Sequence, residues 1–317
     1  MKKILLTGIQ PSGKVHIGNY FGTMKQMVDL QSDYDCLFMI ADYHALNFIQ
    51  NAEHMRDNIL NLALDFIAIG IDPNKSTIFR QSDISAHTEL AWVFDTITSM
   101  PYLMRAHAFK SAEAKNKEIS VGKFNYPVLM ASDILLYDTD IVPVGQDQKQ
   151  HIEYTRDIAE KFNHTFSETF KLPEALIMKD VAIVPGIDGQ KMSKSYGNTI
   201  SLFAEREEII KAVMSIVTDS GDPEDGGIPT NVYNIHKLLK SETEIREIYD
   251  RNKGKYKILK EALIEDLDSF MKPLREKREK ISQDNKKIEA ILAKGASKAG
   301  DRACKKLLTV KKNIGVL

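Results

Sequence analysis

The sequence predicts an α/β fold: a parallel sheet followed by a helical C-terminal part. Three observations predict it. Short apolar runs alternate with stretches of helical apolar spacing through about the first 185 residues, and such alternation builds right-handed βαβ units. A loop containing Gly8 and Gly13 follows the first apolar run. Beyond Leu202 the pattern is almost wholly helical.

Residues 4–7 form an apolar run long enough for one buried strand. Gly8, Pro11, Ser12 and Gly13 then break regular structure. From Ile17 onward Tyr20, Phe21, Met24, Met27, Val28 and Leu30 recur at helical spacing. Strand, loop and helix together aim backbone N–H groups and the positive end of a helix dipole at one point, a place for a phosphate. His16 and Asn19 share the first turn. Gly18 between them has no Cβ and would let a flat ring or a sugar approach. The same residues also fit an ordinary βα turn in which His16 caps the helix.

Residues 35–40 read as a second strand ending at Ala41-Asp42-Tyr43-His44. Residues 58–71 read as a helix, and 76–79 as a third strand ending near Gln81-Ser82-Asp83. Ligands of parallel sheets bind beyond the strands' C-terminal ends, so residues 8–19, 42–44 and 81–83 should share one rim. Residues 85–135 read as mostly helical, broken at Pro101, near Gly122 and at Pro127, with 116–122 a mobile polar link. Residues 141–145 are a further strand, with Gln146-Asp147-Gln148 at the rim and then a helix to about Phe162. Residues 181–185 read as the last strand, followed by Gly186, Gly189 and Lys191-Met192-Ser193-Lys194-Ser195. Helices are expected over 205–217, 231–239, 242–249, 257–280 and 285 to about 316, with 219–229 as a linker.

Composition narrows the class. The chain has 317 residues, 43% of them hydrophobic, enough for one large domain or two of ordinary size. It contains no apolar run of 18 residues, so no membrane-spanning helix is expected. The start, Met1-Lys2-Lys3-Ile4-Leu5-Leu6, is unlike a signal peptide. Cys36 and Cys304 are far apart and form no Cys-x-x-Cys, which speaks against a cysteine-built metal site and for a reducing cytoplasm. Net charge is −1, yet residues 251–317 hold 19 Lys and Arg against 9 Asp and Glu. A basic end on an acidic body suits a polyanion partner, or else a solvated lysine-rich helical surface.

Two residue groups carry candidate chemistry. Lys191 and Lys194, in a loop that Gly186 and Gly189 would leave mobile, offer two point charges to a triphosphate. A plain surface lysine loop is the alternative. Met130 and Asp133 are three apart on a helical stretch and share a face. A thioether beside a carboxylate suits a large aromatic ring with one polar hydrogen; an indole N–H can only donate, and a carboxylate only accepts. A surface or capping aspartate is the alternative there.

His16-Ile17-Gly18-Asn19 resembles the HIGH motif of class I aminoacyl-tRNA synthetases, and Lys191 to Ser195 matches that family's KMSKS loop letter for letter, about 170 residues on. The runs at 8–13, 126–137 and 142–151 are similar to those of bacterial tryptophanyl-tRNA synthetases, with a likeness that covers essentially the whole chain. The resemblance implies a Rossmann-type sheet of the HIGH superfamily over residues 1–190, with a helical insertion and dimer region at about 85–135. It implies a KMSKS loop at 191–200 and a helical anticodon-binding domain over 201–317, whose last helix packs back on the first domain.

The expected activity is ATP-dependent activation of L-tryptophan and its transfer to tRNA(Trp), by a cytoplasmic homodimer that needs neither membrane nor DNA. Catalysis would fall to Lys191, Lys194, His16, Asn19 and Gln10. ATP would be held by Gln10, Pro11, Ser12, His16, Gly18, Asn19, Lys110, Gly145, Gln146, Asp147, Ala182, Ile183, Lys191, Met192, Ser193, Lys194 and Ser195. Mg²⁺ would be shared through the phosphates, since that ion seldom has a dedicated protein cage. Tryptophan would meet Asp133, Met130, Tyr126, Gln148, His44, Leu6 and Gly8. Trp92, Phe94, Met100, Tyr102 and Leu103 are an apolar stretch fit for a dimer interface or plain core.

Two departures stand out. Residues 182–186 replace the Met-Ser-Leu of many relatives, and His16 stands where many have Thr. A tyrosine-specific synthetase, a HIGH-superfamily nucleotidyltransferase and a non-catalytic tRNA-binding paralogue are the rivals. The basic helical end counts against the second, and the intact KMSKS loop against the third.

Overall fold

The computed structural model describes residues 2–106, 109–110, 118–145, 148–177, 183–218 and 228–317. Five parallel strands form the centre: β1 (Ile4–Ile9), β2 (Asp35–Ile40), β3 (Thr77–Arg80), β4 (Ile141–Val144) and β5 (Glu174–Ile177), in the order β3-β2-β1-β4-β5. Chain reversal on either side of β1 is the doubly wound arrangement, with its switch point at the C-terminal ends of β1 and β4. β1 and β2 are buried on both faces, which explains their continuous apolar reading in the sequence.

The helix after β1 is α1, residues 17–30, in which a π-helical stretch (Tyr20–Met24) joins Ile17–Asn19 to Lys25–Leu30. A short helix α2 (Asp42–Ala45) follows β2, and α3 (Ala52–Ile69) ends at Gly70, whose φ of 115° favours glycine. Between β3 and β4 lie α4 (Ala86–Ile97), α5 (Met100–Leu103) and α6 (Val121–Leu135). Then come α7 (Lys149–Thr165), α8 (Arg206–Met214), α9 (Thr230–His236), α10 (Glu242–Arg251), α11 (Tyr256–Ser282) and α12 (Asn285–Asn313).

Two expectations need correction. The fifth strand is Glu174–Ile177, not residues 181–185, of which 181 and 182 lie outside the described residues; Pro185 makes only an isolated bridge to Lys191. Glu174–Ile177 is a partly exposed edge strand, so its four residues carry no long apolar run. Pro127 does not break helix α6, whereas the break expected near Gly122 is present: residues 118–120 are not helical and α6 starts at Val121. Ser120 caps it by accepting from the Lys123 N–H, Gly122 sits where a Cβ would lie 2.8 Å from Asn47 Oδ1, and Pro127 is buried within the helix. Packing of α6 on α4 and α7 outweighs the hydrogen bond that proline removes. The break expected at Pro101 is also present: α4 ends at Ile97, and Pro101 sits in the first turn of α5.

The last helix lies across the sheet. A Cβ on Gly295 would fall 1.8 Å from the carbonyl oxygen of Ile78 in β3. Arg302 donates to Asp35 at 2.6 Å, Lys306 pairs with Asp138 at 2.6 Å and Lys311 with Glu89, while Arg278 of α11 donates to Asp65 of α3 at 2.6 Å. Part of the C-terminal positive charge is therefore answered by carboxylates of the sheet-bearing part. Phe270 of α11 stacks on Phe21 of α1, centroids 5.4 Å apart. Among the described residues, no helix is long and apolar enough to cross a membrane.

Candidate active site

The loop between β1 and α1 is built around a reciprocal cap. His16 is extended (φ −118°, ψ 165°); its Nδ1 accepts the Asn19 N–H at 3.2 Å, and Asn19 Oδ1 accepts the His16 N–H at 3.2 Å. Capping does not compete with anion binding here. With Nδ1 occupied as acceptor, the ring proton sits on Nε2, free to donate. Burial, reinforced by the charge of Lys194, lowers His16 from 6.5 to about 4, so the imidazole is neutral at physiological pH. A Cβ on Gly18 would lie 2.9 Å from His16 Nδ1 and 3.3 Å from Met192 Cβ. Gly18 thus admits its own neighbours as well as any ligand.

The second loop is stitched to the first. The Ile17 N–H donates to Ile200 O at 3.0 Å and the Leu202 N–H to Val15 O at 2.9 Å. Within the loop, buried Asn198 accepts the Ser193 N–H at 2.7 Å and donates to Asp188 at 2.7 Å and Lys191 O at 3.2 Å. A Cβ on Gly186 would sit 2.3 Å from the Asn198 side chain, so this glycine makes room for the anchor rather than freedom for the loop. Lys194 reaches across to Gly13 O at 2.8 Å and Ser12 Oγ at 3.2 Å. Burial lowers its pKa, opposed in part by the charge of Asp65.

A cavity of about 410 Å³ between the loops is lined by Ser12, His16, Gly18, Asn19, Ile183, Lys191, Met192, Ser193 and Lys194. It shares Ser12, Asn19 and Lys194 with a cavity of about 400 Å³ that adds Gln10 and Gly8. Among the described residues, no Asp or Glu lines either one. Gly8 and Gln10 in turn border a third cavity of about 180 Å³ beneath the rim. The seven residues expected around tryptophan all line it: Leu6, Gly8, His44, Tyr126, Met130, Asp133 and Gln148. Met39, Ala41, Ile134 and Val142 complete the wall. Sequence reasoning named none of these four as pocket residues, because a pocket wall and a core share one pattern.

Asp133 is 2% exposed, which rules out a surface role. Its Oδ2 accepts from His44 Nε2 at 2.8 Å; its Oδ1 accepts from Gln81 Nε2 at 2.7 Å and His87 Nδ1 at 2.7 Å. Burial alone would raise the carboxyl, but the hydrogen bonds from His44 and His87 outweigh it and hold the group ionised. Tyr126 hydroxyl meets His151 Nε2 at 2.5 Å. Gln81 was expected on this rim without a partner. His87 was not foreseen, since a lone histidine on an apolar helix face looks like core.

Other expected residues lie elsewhere. Pro11 is buried in the loop, and Ser195 is exposed with its hydroxyl 2.9 Å from Ser193 Oγ. Lys110 is exposed and lines none of these cavities. Gly145 follows β4, and its carbonyl accepts the Gln148 N–H at 3.0 Å. Gln146, Asp147 and Ala182 lie outside the described residues.

Comparison with known proteins decides the family. The family model for class I tRNA synthetases (W and Y) matches residues 2–310. The tryptophan–tRNA ligase of Fusobacterium nucleatum is 46% identical over 317 residues, 98% of each chain. The chain belongs to the tryptophan–tRNA ligases. The ligase of Rhodopirellula baltica is 45% identical, covering 98% of this chain and 99% of its own. The crystal structure of tryptophanyl-tRNA synthetase from Campylobacter jejuni, complexed with ADP and tryptophan, superimposes with a TM-score of 0.91 at 44% identity, over 98% of this chain and 99% of that one. As a member of this family the chain is an aminoacyl-tRNA synthetase that binds ATP and charges tRNA, and the tyrosine-specific and nucleotidyltransferase readings fall away.

Proposed function

We propose that this ligase joins L-tryptophan to AMP in the trench formed by the three adjoining cavities, then passes it to tRNA(Trp). The single observation that carries the residue assignment is the buried carboxylate of Asp133 at the floor of a cavity that opens, past Gly8 and Gln10, toward the basic cradle. Asp133 accepts the indole N–H, with Met130 and Leu6 against the ring and His44 beside it. Tyr126 and Gln148 hold the ammonium group. The substrate carboxylate then faces the α-phosphate of ATP, attacks phosphorus and expels pyrophosphate. Little covalent work is asked of the protein: positioning and neutralising the developing charge suffice.

Neutral His16 donates from Nε2 to an α-phosphate oxygen, with Asn19 and Gln10 alongside. Lys191, Lys194 and Ser195 hold the pyrophosphate side, Lys194 leaving Gly13 O and Ser12 for phosphate oxygens. Gly145, Gln146 and Asp147 meet the ribose, and Ala182 and Ile183 the adenine. Pro11, Ser12, Gly18, Met192 and Ser193 shape the cradle, and Lys110 reaches the phosphates on closure. Among the described residues no carboxylate lines the cradle, and those residues fit a Mg²⁺ carried by the nucleotide, which would spread the charge of the phosphates.

The helices from 201 to 317 receive the tRNA, through phosphate contacts for affinity and unstacked bases for sequence. The ligase works in the cytoplasm as a homodimer through α4 and α5, where Trp92 is 71% and Met100 67% exposed while Phe94 and Leu103 are buried. ATP–pyrophosphate exchange with each of the twenty amino acids, without tRNA, tests the activation half. Exchange with tryptophan alone is expected, and exchange with tyrosine overturns the pocket assignment. Asp133→Ala should abolish tryptophan exchange; an unchanged rate removes Asp133 from the pocket.

A further inference from the structure

Beneath the tryptophan cavity lies a polar network of Gln81, His87 and Tyr137, none of which lines the cavity, and it meets the cavity through Asp133. A carboxylate offers about four lone-pair positions, two on each oxygen. Among the described residues three are taken: two on Oδ1, by Gln81 and His87, and one on Oδ2, by His44. Oδ1 is thereby closed. One position on Oδ2 stays open, and His44, which shares that oxygen, lines the cavity.

The network continues inward. Tyr137 hydroxyl lies 2.8 Å from His87 Nε2, and His87 is wholly buried, Tyr137 nearly so. If the imidazole held both protons, the Tyr137 oxygen would accept, and its own proton would have no partner among the described residues. Buried polar hydrogens are almost always partnered. The hydroxyl therefore donates to Nε2, which leaves the single ring proton of His87 on Nδ1, aimed at Asp133. The ring is held by packing as well. Phe79 stacks on His87 at 6.4 Å and meets Tyr137 edge-on at 5.7 Å, and Ser132 Oγ donates to the His87 carbonyl at 2.6 Å.

We propose that Tyr137 and His87 are positioning residues for amino-acid selection: the Tyr137 hydroxyl fixes the His87 tautomer, His87 and Gln81 close Oδ1 of Asp133, and the one remaining lone pair on Oδ2 is what demands an N–H on the substrate ring. The inference rests on the pairing of Asp133 with the indole. It adds that the demand for a donor is set one layer behind the pocket wall, by residues the substrate never touches. Without the Nδ1–H, the carboxylate gains a free position on Oδ1 and is easier to protonate. A protonated carboxyl can turn an O–H to the cavity and accept a ring that offers no hydrogen.

The test uses the whole ligase in ATP–pyrophosphate exchange, with tryptophan and with β-(3-benzothienyl)alanine, in which sulfur replaces the indole N–H. The variants are Tyr137→Phe, His87→Leu and His87→Asn; the last restores a donor near the Nδ1 position. Removing a donor from a buried charged acceptor should lower kcat/KM for tryptophan about 10- to 100-fold in His87→Leu and about three- to tenfold in Tyr137→Phe. The sulfur analogue should change less than about twofold. His87→Asn should recover most of the loss. The acid limb of the tryptophan pH profile should move to higher pH in His87→Leu and Tyr137→Phe, and that of the analogue should not.

Equal losses for both substrates would mark a purely structural role and overturn the proposal, as would unchanged discrimination in Tyr137→Phe, a variant small enough to fold if His87→Leu does not. Asp133→Ala separates the two layers of the argument. If it leaves the preference for tryptophan over the analogue intact, the pocket assignment itself fails. If it erases that preference while Tyr137→Phe and His87→Leu keep it, only the present inference fails.

Discussion

Asn198 should control ATP use without touching ATP. Its side chain accepts the Ser193 N–H at 2.7 Å and donates to Lys191 O at 3.2 Å and to Asp188 at 2.7 Å. Asp188 is exposed, so water can take over that contact and it contributes little. The other two bonds fix the backbone at both ends of Lys191-Met192-Ser193, and at about 1 kcal/mol net each they sum to about 2 kcal/mol. Asn198→Ala removes both and leaves the Gly186 side of the loop without its filler. A loop ordering weakened by about 2 kcal/mol is about thirtyfold less populated, since 1.4 kcal/mol is tenfold. The cost should appear in kcat/KM for ATP, measured by pyrophosphate exchange at saturating tryptophan. Tryptophan binding alone, followed by calorimetry without nucleotide, should not change, because Asn198 does not line that cavity. A kcat/KM for ATP within twofold of the parent protein would refute the anchoring argument.

Three further outcomes follow from the same geometry. Gly295→Ala forces a Cβ against the Ile78 carbonyl and should destabilise by about 2 kcal/mol or more, whereas Gly300→Ala, in the same helix with open space around it, should stabilise by about 1 kcal/mol; paired urea titrations compare them. His16 binds its proton less tightly folded, at about 4, than unfolded, at 6.5. Its contribution to stability is therefore complete above about pH 6.5 and is lost as pH falls toward 4. His16→Asn keeps a capping residue and should flatten the slope of stability against pH across that window, read from unfolding midpoints at several pH values; an unchanged slope assigns the slope to other groups. Replacing both Trp92 and Met100 with Asp should convert a dimer to a monomer in sedimentation, and a dimer that survives places the interface elsewhere.

The signature loops were legible because their chemistry needs particular side chains at fixed spacing. Glycine, histidine, asparagine and two lysines cannot be exchanged for generic core or surface residues, so His16 to Asn19 and Lys191 to Ser195 stand out in one sequence. β1, β2 and β4 were legible because their burial gives unbroken apolar runs. β5 was not, since an edge strand keeps one side in water and its pattern dissolves into its surroundings. Pro127 misled for a related reason: propensity is local, while the burial of α6 between α4 and α7 is tertiary. His87 was invisible because its meaning lies in a contact with Asp133, 46 residues further on, and no local pattern encodes a partner that distant. The basic tail was half legible. Its charge excess is real, but Arg278, Arg302, Lys306 and Lys311 already answer carboxylates of the body.

The bonds from Ile17 to Ile200 and from Leu202 to Val15 have a polymer consequence. They turn the chain between the two signature loops into a closed excursion of roughly 180 residues pinned at both ends. The entropy of closing such a ring rises only with the logarithm of its length, about 0.6 kcal/mol for each doubling. Added chain in the stretch between β3 and β4 therefore changes the cost of bringing the loops together by a small fraction of that. Length can accumulate or disappear in the excursion while the cradle keeps its shape. Chain inserted inside the pinned ends, between 13 and 17 or between 191 and 202, has no such latitude.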